Sequence, residues 1–335
     1  MENKDLYDVT IIGGGPIGLF TAFYSGMREL KTKVIEYLPQ VGGKVTYFYP
    51  EKILRDIGAI PGISGADLIK QLSEQAQTFD PTMVFEERVN DLKREDDGTY
   101  TLISHNGNRH HTRSVILAIG HGTLGVKKLP IEEALQYEGG NLHYSVDRLE
   151  YFSGKHVLIS GGGDSAVDWA NMLEPLAKKV MIVHRREAFS CHENSVTEMT
   201  NSSTKIRCLC YVSGLIGDGN RIEKVRLTHV DTGKIEELEI DELLVNHGFD
   251  LDLGGIKEWG LNMIDGKVVT DGKMETSIPG IFAAGDIVTY PNRLSLIAGG
   301  LAEGPKALNS AKAYLDPEAE AMAMYSTHHK DFVEV

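Results

Sequence analysis

A short apolar run, residues 7–12, opens the chain and leads into a glycine-rich turn. Residues 19–27 then place apolar side chains at helical spacing, and residues 33–35 form a second apolar run that ends at Glu36. Short apolar runs on either side of a helical segment predict a strand, a helix and a second strand parallel to the first. The pattern is typical of the first βαβ unit of a doubly wound α/β domain.

The turn between the first strand and the helix carries a glycine fingerprint. Gly13 permits a tight turn, Gly15 lets the backbone approach a pyrophosphate, and Gly18, after Pro16, lets the helix pack on the strand. The amino end of the helix then faces the phosphates, and Glu36 can accept hydrogen bonds from ribose hydroxyls. This order of elements predicts a site for an adenine dinucleotide, and a glycine-rich turn in a parallel sheet is the plain alternative.

Further apolar runs complete the first third of the chain. Strands are predicted at residues 82–89, 100–104 and 112–119, and a helix is predicted at residues 66–79 with Ser64 as its cap.

Two local clusters leave alternatives open. Tyr47, Phe48 and Tyr49 follow the turn at residues 40–44, where they either stack on a cofactor or fill the core beneath the loop. The Arg-His-His segment at residues 109–111 is interpreted as a solvated turn. A metal site at this segment would need a carboxylate or cysteine at a ligand spacing that the sequence does not offer, so no metal is predicted.

The middle of the chain repeats the first pattern. Residues 155–160 and 180–183 predict strands, and residues 167–176 predict a helix between them. The intervening turn again has a fingerprint, with alanine in the third slot, and its candidate binding residues are Gly161, Gly163, Asp164, Ser165 and Ala166. A second dinucleotide site is therefore predicted here.

The second module ends in basic residues instead of an acid. His184, Arg185 and Arg186 follow its second strand, at the position where an acid would bind a free ribose 2′-hydroxyl. A guanidinium group instead pairs with a 2′-phosphate through charge-assisted hydrogen bonds. The second nucleotide is therefore predicted to be NADP and not NAD, with an exposed basic corner as the alternative.

A third glycine motif lies near the carboxyl end. Residues 280–286, Gly-Ile-Phe-Ala-Ala-Gly-Asp, place Asp286 just after a strand, where open α/β sheets bind ligands. The helix predicted at residues 294–314 has small residues near its start, so its positive end can approach an anionic reduced flavin. Residues 190–205 are interpreted as a loop. Strands are also predicted at residues 208–216, 221–230 and 234–240.

Composition and charge narrow the classes of function. The 335 residues suffice for two globular domains, and the formal net charge of −14 argues against nucleic-acid or anionic-membrane partners. The sequence has neither a signal-peptide pattern nor a membrane-length apolar run, so a cytoplasmic protein is expected. Cys191, Cys208 and Cys210 contain no Cys-x-x-Cys spacing and are interpreted as ordinary thiols.

The two fingerprints and the third motif together resemble the two-dinucleotide flavoproteins of the thioredoxin reductase type, over nearly the whole chain. That family has a Cys-x-x-Cys shortly before the second fingerprint, where this chain has residues 143–146, His-Tyr-Ser-Val, so dithiol exchange is not available. The stretches at residues 47–52 and 162–169 and the tail at 316–335 resemble more specifically the thioredoxin-reductase-like ferredoxin–NADP reductases of bacteria.

The resemblance implies a fold, two cofactors and further site residues. It implies two nested Rossmann-like α/β domains, an FAD domain of residues 1–118 and 248–335 and an NADPH domain of residues 119–247. Tyr49 would stack on one face of the flavin, and Tyr325 would cover the other. Lys44 stands where glutamine is common in the family, and Tyr325 where histidine or phenylalanine is expected. The remaining residues implied to line the FAD are Glu36, Gly43, Val89, Leu124, Asp286, Ser326 and Thr327.

The resemblance also implies the reaction, in which NADPH gives a hydride to FAD and single electrons then pass to ferredoxin or flavodoxin, in a homodimer. Because the cofactors carry the chemistry, no catalytic residue is named. Other acceptors, such as a quinone, free flavin or oxygen, and a flavin-bearing redox sensor are the alternatives. Since ferredoxins are usually acidic, a basic patch is expected, with Lys127, Lys128 and Arg148 as candidates.

Overall fold

The computed structural model describes residues 5–146, 148–322 and 325–332. The helices are α1 (Pro16–Met27), α2 (Gly43–Phe48), α3 (Gly65–Gln77), α4 (Asp164–Leu173), α5 (Glu193–Asn201) and α6 (Ile297–Leu315). The strands are β1 (Leu6–Ile12), β2 (Thr32–Ile35), β3 (Ile53–Leu54), β4 (Ile63–Ser64), β5 (Thr82–Val84), β6 (Val89–Arg94), β7 (Tyr100–Ser104), β8 (Arg109–Leu117), β9 (Thr123–Val126), β10 (Leu142–His143), β11 (His156–Gly161), β12 (Lys179–His184), β13 (Lys205–Cys208), β14 (Cys210–Gly217), β15 (Ile222–His229), β16 (Ile235–Glu239), β17 (Glu242–Asn246), β18 (Phe249–Asp252), β19 (Met263–Ile264), β20 (Lys267–Val269), β21 (Ile281–Ala283) and β22 (Val288–Thr289). Short 3₁₀ helices cover Glu132–Tyr137, Leu149–Phe152, Gly254–Glu258 and Ser326–His328.

The chain folds into two compact units. One consists of Met1–Leu124 and Leu251–Val335, and the other of Gly125–Asp250. The first unit is therefore assembled from two separate segments of sequence. None of the helices formed by the described residues combines the length and apolar character that a bilayer crossing requires.

The first unit is organised by a parallel sheet with the strand order β5, β2, β1, β8 and β21. Strand β7 also pairs antiparallel with the first half of β8, and β6 pairs with β7. The chain leaves β1 through α1 toward β2 and β5, whereas β8 lies on the other side of β1. The direction of winding thus reverses between β1 and β8, and open α/β sheets bind ligands at the carboxyl end of such a point.

Alternate residues of these strands supply cores on both faces of the sheet. Ile11 and Ile116 belong to the core that also contains residues of α1, α3 and α6, and Ile12 and Leu117 belong to the core on the opposite face. A parallel sheet covered on both faces needs apolar residues at successive positions. This explains why continuous apolar runs mark these strands in the sequence.

The second unit repeats this plan. Its parallel sheet has the strand order β10, β17, β11, β12 and β13, with α4 between β11 and β12 and α5 between β12 and β13. Strand β17 lies on the other side of β11, so the winding reverses beside β11. Strands β14, β15 and β16 form a separate antiparallel sheet. The turn after β11 therefore has the same place in this unit as the turn after β1 has in the first.

The polar composition of residues 190–205 predicts a loop, and this prediction is wrong. Helix α5 occupies most of this segment, and Met199 is the residue of that helix that becomes buried. A helix that buries so narrow a stripe has little apolar periodicity in its sequence, which explains the wrong prediction.

Two predicted strands are each divided in the structure. The run at residues 82–89 becomes β5 and β6, and the run at residues 208–216 continues from the end of β13 into β14. Glu86 has a left-handed φ of 58° and Leu209 one of 53°. A left-handed residue cannot continue a strand, so the chain turns at each of these positions into a different pairing.

The Arg-His-His segment at residues 109–111 opens β8 and is not a solvated turn. His110 is 7% exposed. Its Nε2 lies 2.8 Å from Glu87 Oε2, its Nδ1 lies 3.5 Å from Lys33 Nζ, and Asn108 Nδ2 donates to Glu87 over 2.6 Å. Each buried polar group thus has a partner, which allows the segment to fold inward. In the described part of the chain, no group of three or more histidine, cysteine or acidic side chains is arranged to hold a metal.

A fully buried carboxylate stands at the start of β17 in the second unit. The carboxylate of Glu242 is 0% exposed and lies 2.7 Å from His143 Nε2, 2.9 Å from Lys155 Nζ and 3.2 Å from Arg221 Nη2. Burial alone would raise the pKa of Glu242, but hydrogen bonds from His143 and Lys155 hold it below its ordinary value. This carboxylate therefore joins β10, β11 and the segment before β15 at the amino edge of the sheet.

We expect Glu242→Ala to lower the free energy of unfolding of the second unit by about 2 kcal/mol at pH 7, because Lys155, Arg221 and the hydrogen-bonded His143 lose their buried partner. Because the pKa of Glu242 is lowered in the folded state, its stabilisation is present above the unfolded-state pKa and is lost as the pH falls through the folded-state value. The difference between wild type and variant should therefore shrink on acidification. Urea denaturation followed by Trp169 fluorescence, in a Trp259→Phe background, measures it.

The matched control is Glu239→Ala. The Glu239 side chain is 81% exposed and lies 3.6 Å from Lys224, so its removal should cost less than about 0.5 kcal/mol at any pH. A Glu242→Ala cost no larger than that of the control would contradict the role of the buried carboxylate.

Candidate functional site

A deep cleft opens at the carboxyl ends of β1, β2 and β8, where the winding of the first unit reverses. It contains about 1160 Å³ of empty space, including its open mouth. The turn after β1, the end of β2, the start of α2, the loop after β8 and the start of α6 all contribute to its lining. A cleft of this size and position suits an extended small ligand.

Three glycines shape the turn after β1. A Cβ atom at Gly13 would lie 2.4 Å from the carbonyl oxygen of Ala118, and one at Gly18 would lie 1.9 Å from that of Gly13. Nothing lies within 4 Å of the Cβ position of Gly15, which lines the cleft. The packing of the protein itself therefore requires Gly13 and Gly18, whereas the space beside Gly15 is left free for a ligand.

Helix α1 begins at this turn. Pro16 occupies its first position and Gly15 is the N-cap, so no side chain caps the first amides. The N–H groups of a first helical turn carry partial positive charge and bind phosphate oxygens. The turn thus brings Gly13, Gly15, Pro16 and Gly18 together in an arrangement that fits a pyrophosphate.

Glu36 lies at the end of β2 and lines the same cleft. It is 6% exposed, its Oε2 accepts a hydrogen bond from Gly14 N over 2.7 Å, and its Oε1 accepts one from Leu38 N over 2.8 Å. Burial raises the pKa of Glu36, although the two main-chain hydrogen bonds favour the carboxylate. These bonds fix the carboxylate in the cleft wall, where a ribose hydroxyl would find an acceptor.

The segment at the start of α2 packs directly on the glycine turn. Gly42 N donates to Gly14 O over 2.8 Å, and a Cβ at Gly43 would lie 3.4 Å from Gly15 Cα. Gly43 and the next residue, Lys44, both line the cleft. The start of α2 therefore extends the wall of the cleft beyond the first turn of α1.

The aromatic cluster at the end of α2 contains both of the roles that the sequence left open, a cofactor contact and a core position. Tyr49 lines the cleft, Phe48 is 5% exposed in the interior, and Tyr47 is 41% exposed. Burial, together with the carboxylates of Asp286 and Asp56, raises the pKa of Tyr49 to about 12. The neutral ring of Tyr49 is therefore the member of the cluster that can contact a cofactor.

Asp286 follows β21 and also lines the cleft. Its Oδ1 lies 3.5 Å from Arg293 Nη2 and its Oδ2 lies 3.6 Å from His121 Nδ1, with the carboxylate side chain 39% exposed. Burial holds the pKa of His121 below its ordinary value, although Asp286 acts in the opposite direction. The site thus presents a partly exposed anion flanked by one guanidinium and one imidazole.

The sequence prediction does not include His121, Arg293 or Glu303. Glu303 accepts hydrogen bonds from Arg293 and from the amide of Gly285, and its side chain is 1% exposed. A signal for Glu303 was present, because it stands among small and apolar residues near the start of a helix. An ionisable residue in such a stretch needs a buried partner.

Other predicted residues differ in where the structure places them. Val89 is 2% exposed and lines the cleft. The prediction for Leu124 concerns a side chain that lies outside the described residues. Tyr325, which is 77% exposed, precedes the 3₁₀ helix that contains Ser326 and Thr327, and none of these three lines the cleft of its own chain.

The turn after β11 in the second unit repeats the first. A Cβ at Gly161 would lie 2.5 Å from the carbonyl oxygen of Asn246, whereas the nearest atom to a Cβ at Gly163 would be 3.9 Å away. Gly163 is the uncapped N-cap of α4, as Gly15 is of α1. The first turn of α4 contains Asp164, Ser165 and Ala166. The helix end is again open to an anionic ligand.

Basic residues stand at the end of β12, beside this second turn. The ring of His184 covers Gly162, where a Cβ would lie 2.1 Å from His184 Nδ1. Arg185 and Arg186 are exposed, and no carboxylate in the described ranges forms an ion pair with either of them. Two uncompensated guanidinium groups beside a glycine turn suit a phosphate better than a hydroxyl.

Comparison with known proteins shows to which class of protein this fold belongs. The model of a family described as pyridine nucleotide-disulphide oxidoreductase matches residues 7–311. The thioredoxin reductase of Lactococcus lactis superposes with a TM-score of 0.78 at 25% identity, over 92% of this chain and 99% of that chain. The thioredoxin reductase of T. acidophilum gives 0.79 at 24% identity, over 94% and 100%. The fold is therefore that of the thioredoxin reductases, within the pyridine nucleotide-disulphide oxidoreductases.

Relatives of higher identity narrow this class. Ferredoxin–NADP reductase 1 of Bacillus velezensis is 57% identical over 332 residues, which are 99% of each chain. Ferredoxin–NADP reductase 1 of Listeria monocytogenes serotype 4b is 50% identical over 333 residues, 99% of this chain and 100% of the relative. The chain belongs to the family of ferredoxin–NADP reductases.

We expect Gly15→Ala to separate folding from nucleotide binding. The new methyl group meets no atom within 4 Å, so the stability of the ligand-free protein should change by less than about 0.5 kcal/mol. The affinity for FAD should fall at least about tenfold, because the methyl group fills space that a pyrophosphate needs. Thermal unfolding without ligand and titration by quenching of flavin fluorescence measure the two effects.

Two variants serve as controls for Gly15→Ala. Gly18→Ala places a methyl group 1.9 Å from Gly13 O and should lose both stability and FAD affinity. Gly163→Ala makes the equivalent change in the second unit and should leave FAD affinity unchanged. An FAD affinity of wild-type strength in Gly15→Ala would show that the cleft does not hold the dinucleotide.

Proposed function

We propose that the protein is an FAD-dependent ferredoxin–NADP reductase, with FAD at the cleft of the first unit and NADPH at the glycine turn of the second. The observation that carries the proposal is the repeated glycine module with two different strand ends. One ends at the buried Glu36, and the other ends at the exposed pair Arg185 and Arg186. The names of the relatives at 50–57% identity supply the acceptor.

The residues of the cleft fit an adenine dinucleotide that carries a flavin. The first amides of α1 bind the pyrophosphate, and Glu36 accepts from ribose hydroxyls. Tyr49 lies against a ring face, and Asp286 accepts from a hydroxyl group of the chain that joins the ring to the phosphates. When bound, FAD supplies a ring that accepts a hydride and returns its electrons one at a time. Val89 and the other apolar residues exclude water from the cleft.

The residues of the second turn fit NADPH. The open position beside Gly163 and the uncapped start of α4 receive the pyrophosphate, as their counterparts do in the first unit. Arg185 and Arg186 bind the 2′-phosphate, which distinguishes NADPH from NADH. His184 covers the turn from above Gly162 and keeps it in place.

The electrons leave without a dithiol. The 335 residues contain no Cys-x-x-Cys, and burial raises the pKa of Cys191, Cys208 and Cys210, so their thiols stay protonated at neutral pH. A protonated thiol is a poor nucleophile in disulfide exchange. A one-electron carrier protein therefore accounts for the chain better than a disulfide substrate does.

The proposal extends to partner and setting. Ferredoxin or flavodoxin is the acceptor, and a homodimer in the cytoplasm is the working form. All three cysteines are free, as expected in a reducing compartment. The basic residues suggested for docking, Lys127, Lys128 and Arg148, are all exposed, and Lys128 also forms an ion pair with Glu138 over 2.7 Å. The flavin contacts predicted for Tyr325, Ser326 and Thr327 stay predictions.

The purified protein should be yellow, and NADPH should bleach it and then reduce added ferredoxin under anaerobic conditions. The measurement is the absorbance change of ferredoxin, with flavodoxin, a quinone and free flavin as alternative acceptors and thioredoxin as the negative control. Bleaching without reduction of either carrier protein would assign the protein to another acceptor. A protein that takes up no FAD would refute the proposal as a whole.

The double variant Arg185→Gln with Arg186→Gln should raise KM for NADPH at least about tenfold and leave KM for NADH unchanged, because only the 2′-phosphate loses its partners. The control is Arg226→Gln, whose guanidinium is 52% exposed and lies 3.0 Å from Glu237 in the antiparallel sheet. Steady-state rates with a saturating acceptor measure the effect. An equal rise in KM for both nucleotides would contradict recognition of the phosphate by this pair.

A further inference from the structure

Glu303 is a buried carboxylate to which the proposed function gives no role. It lies in α6, behind the cleft, with 1% of its side chain exposed. A buried carboxylate is tolerated only where hydrogen bonds and an opposite charge replace its hydration. Its contacts therefore indicate what it holds in place.

Among the described residues, the carboxylate of Glu303 accepts all its hydrogen bonds from the segment that follows β21. Its Oε2 accepts from the amide of Gly285 over 2.7 Å. Its Oε1 accepts from Tyr290 Oη over 2.8 Å and from Arg293 Nε over 3.0 Å. One carboxylate thus holds Gly285, which directly precedes Asp286, together with Tyr290 and Arg293 further along the same segment.

The helix that carries Glu303 is itself fixed against α1. A Cβ at Gly300 would lie 2.4 Å from Ile17 Cδ1, and one at Gly304 would lie 2.2 Å from Thr21 Oγ1. Helix α6 can approach α1 so closely only because these positions are glycines. The carboxylate of Glu303 therefore has a defined position relative to the glycine turn of the cleft.

Arg293 transmits this position to the cleft. Its side chain is 6% exposed, and its Nη2 lies 3.5 Å from Asp286 Oδ1 while its Nε contacts Glu303. Nη1 donates to Ser295 Oγ over 3.0 Å. The planar guanidinium is thereby held at three points, which fixes the direction from which it meets the carboxylate of Asp286.

We propose that Glu303 is a positioning residue for the dinucleotide in the cleft. Through the Gly285 amide and the guanidinium of Arg293, it keeps the Asp286 carboxylate turned toward the cleft and only partly neutralised, so that it can accept a hydrogen bond from a hydroxyl group of bound FAD. Without Glu303, Arg293 turns to Asp286 as a full partner and competes with the ligand. This inference rests on the proposed function, because it takes FAD as the ligand of the cleft.

A double-mutant cycle tests the proposal. The variants are Glu303→Gln, Asp286→Asn and the two combined, and the quantity is the dissociation constant of FAD, measured from the fluorescence of flavin released when the holoprotein is diluted. Glu303→Gln and Asp286→Asn should each weaken FAD binding about tenfold. The double variant should bind FAD about as Asp286→Asn does, because Glu303 acts through Asp286.

A purely structural role predicts a different result, in which Glu303→Gln weakens FAD binding equally with and without the Asp286 carboxylate. That additive outcome would overturn the proposal, as would an FAD affinity of wild-type strength in Glu303→Gln. If Glu303→Gln does not fold, the same cycle with Arg293→Lys decides, since lysine lacks the planar fork with which the guanidinium meets both carboxylates from a fixed direction.

The control is Ser310→Ala, which removes another contact of α6, the 2.7 Å hydrogen bond from Ser310 Oγ to Lys273 O. It should leave FAD affinity within about twofold of wild type. If the wild-type protein binds no FAD, the proposed function itself is refuted. If it binds FAD but the effects of Glu303→Gln and Asp286→Asn on the dissociation constant add, only the role of Glu303 is refuted.

Discussion

The close approach of helix α1 to the end of strand β1 is the constraint on which the first unit depends. A side chain at Gly18 would collide with the backbone of Gly13, since their closest approach would be 1.9 Å. Because the helix starts this close to the sheet, its free amides stand at the carboxyl edge where the winding reverses. The same edge receives Glu36 from β2 and Asp286 from β21. Without the contact, these groups would not face one cleft.

The second unit meets the same constraint with a slightly different solution. A Cβ atom at Gly161 would lie 2.5 Å from the carbonyl oxygen of Asn246, so this position cannot carry a side chain. Ala166 takes the place of the third glycine. What changes between the units is the charge that follows the second strand. Glu36 is buried and bonded to main-chain amides, whereas Arg185 and Arg186 are exposed without carboxylate partners in the described part of the chain. In the proposed function, one backbone design thus serves two different dinucleotides, of which only the second carries a 2′-phosphate.

The two glycine turns and the charge at the end of the next strand could be predicted from the sequence, because each depends on residues close together in the chain. The glycine spacing follows directly from contacts within one turn, and the residue that ends the next strand is read at a fixed distance from it. The contacts of His110 and Glu303 are different, because their partners are distant in sequence or lie on another element. His110 pairs with Glu87 across 23 residues, so the polar segment around it gives the pattern of a solvated turn although it forms a buried strand. Helix α5 was missed for a related reason, since its burial depends on one methionine and not on a repeated apolar stripe.

Charge acts in this molecule over short distances more than over long ones. With a net charge of −14, the whole chain repels anions, and both NADPH and an acidic ferredoxin are anions. At physiological ionic strength, however, charges separated by more than about 8 Å are largely screened. A phosphate bound as proposed, beside Arg185 and Arg186, would therefore interact mainly with these two groups and with the start of α4. The same argument applies to the cleft, where Arg293 offsets part of the charge of Asp286 at 3.5 Å and the acidic surface contributes little. An acidic protein can therefore bind an anionic ligand through a few nearby cations, because salt and water screen the more distant negative charges.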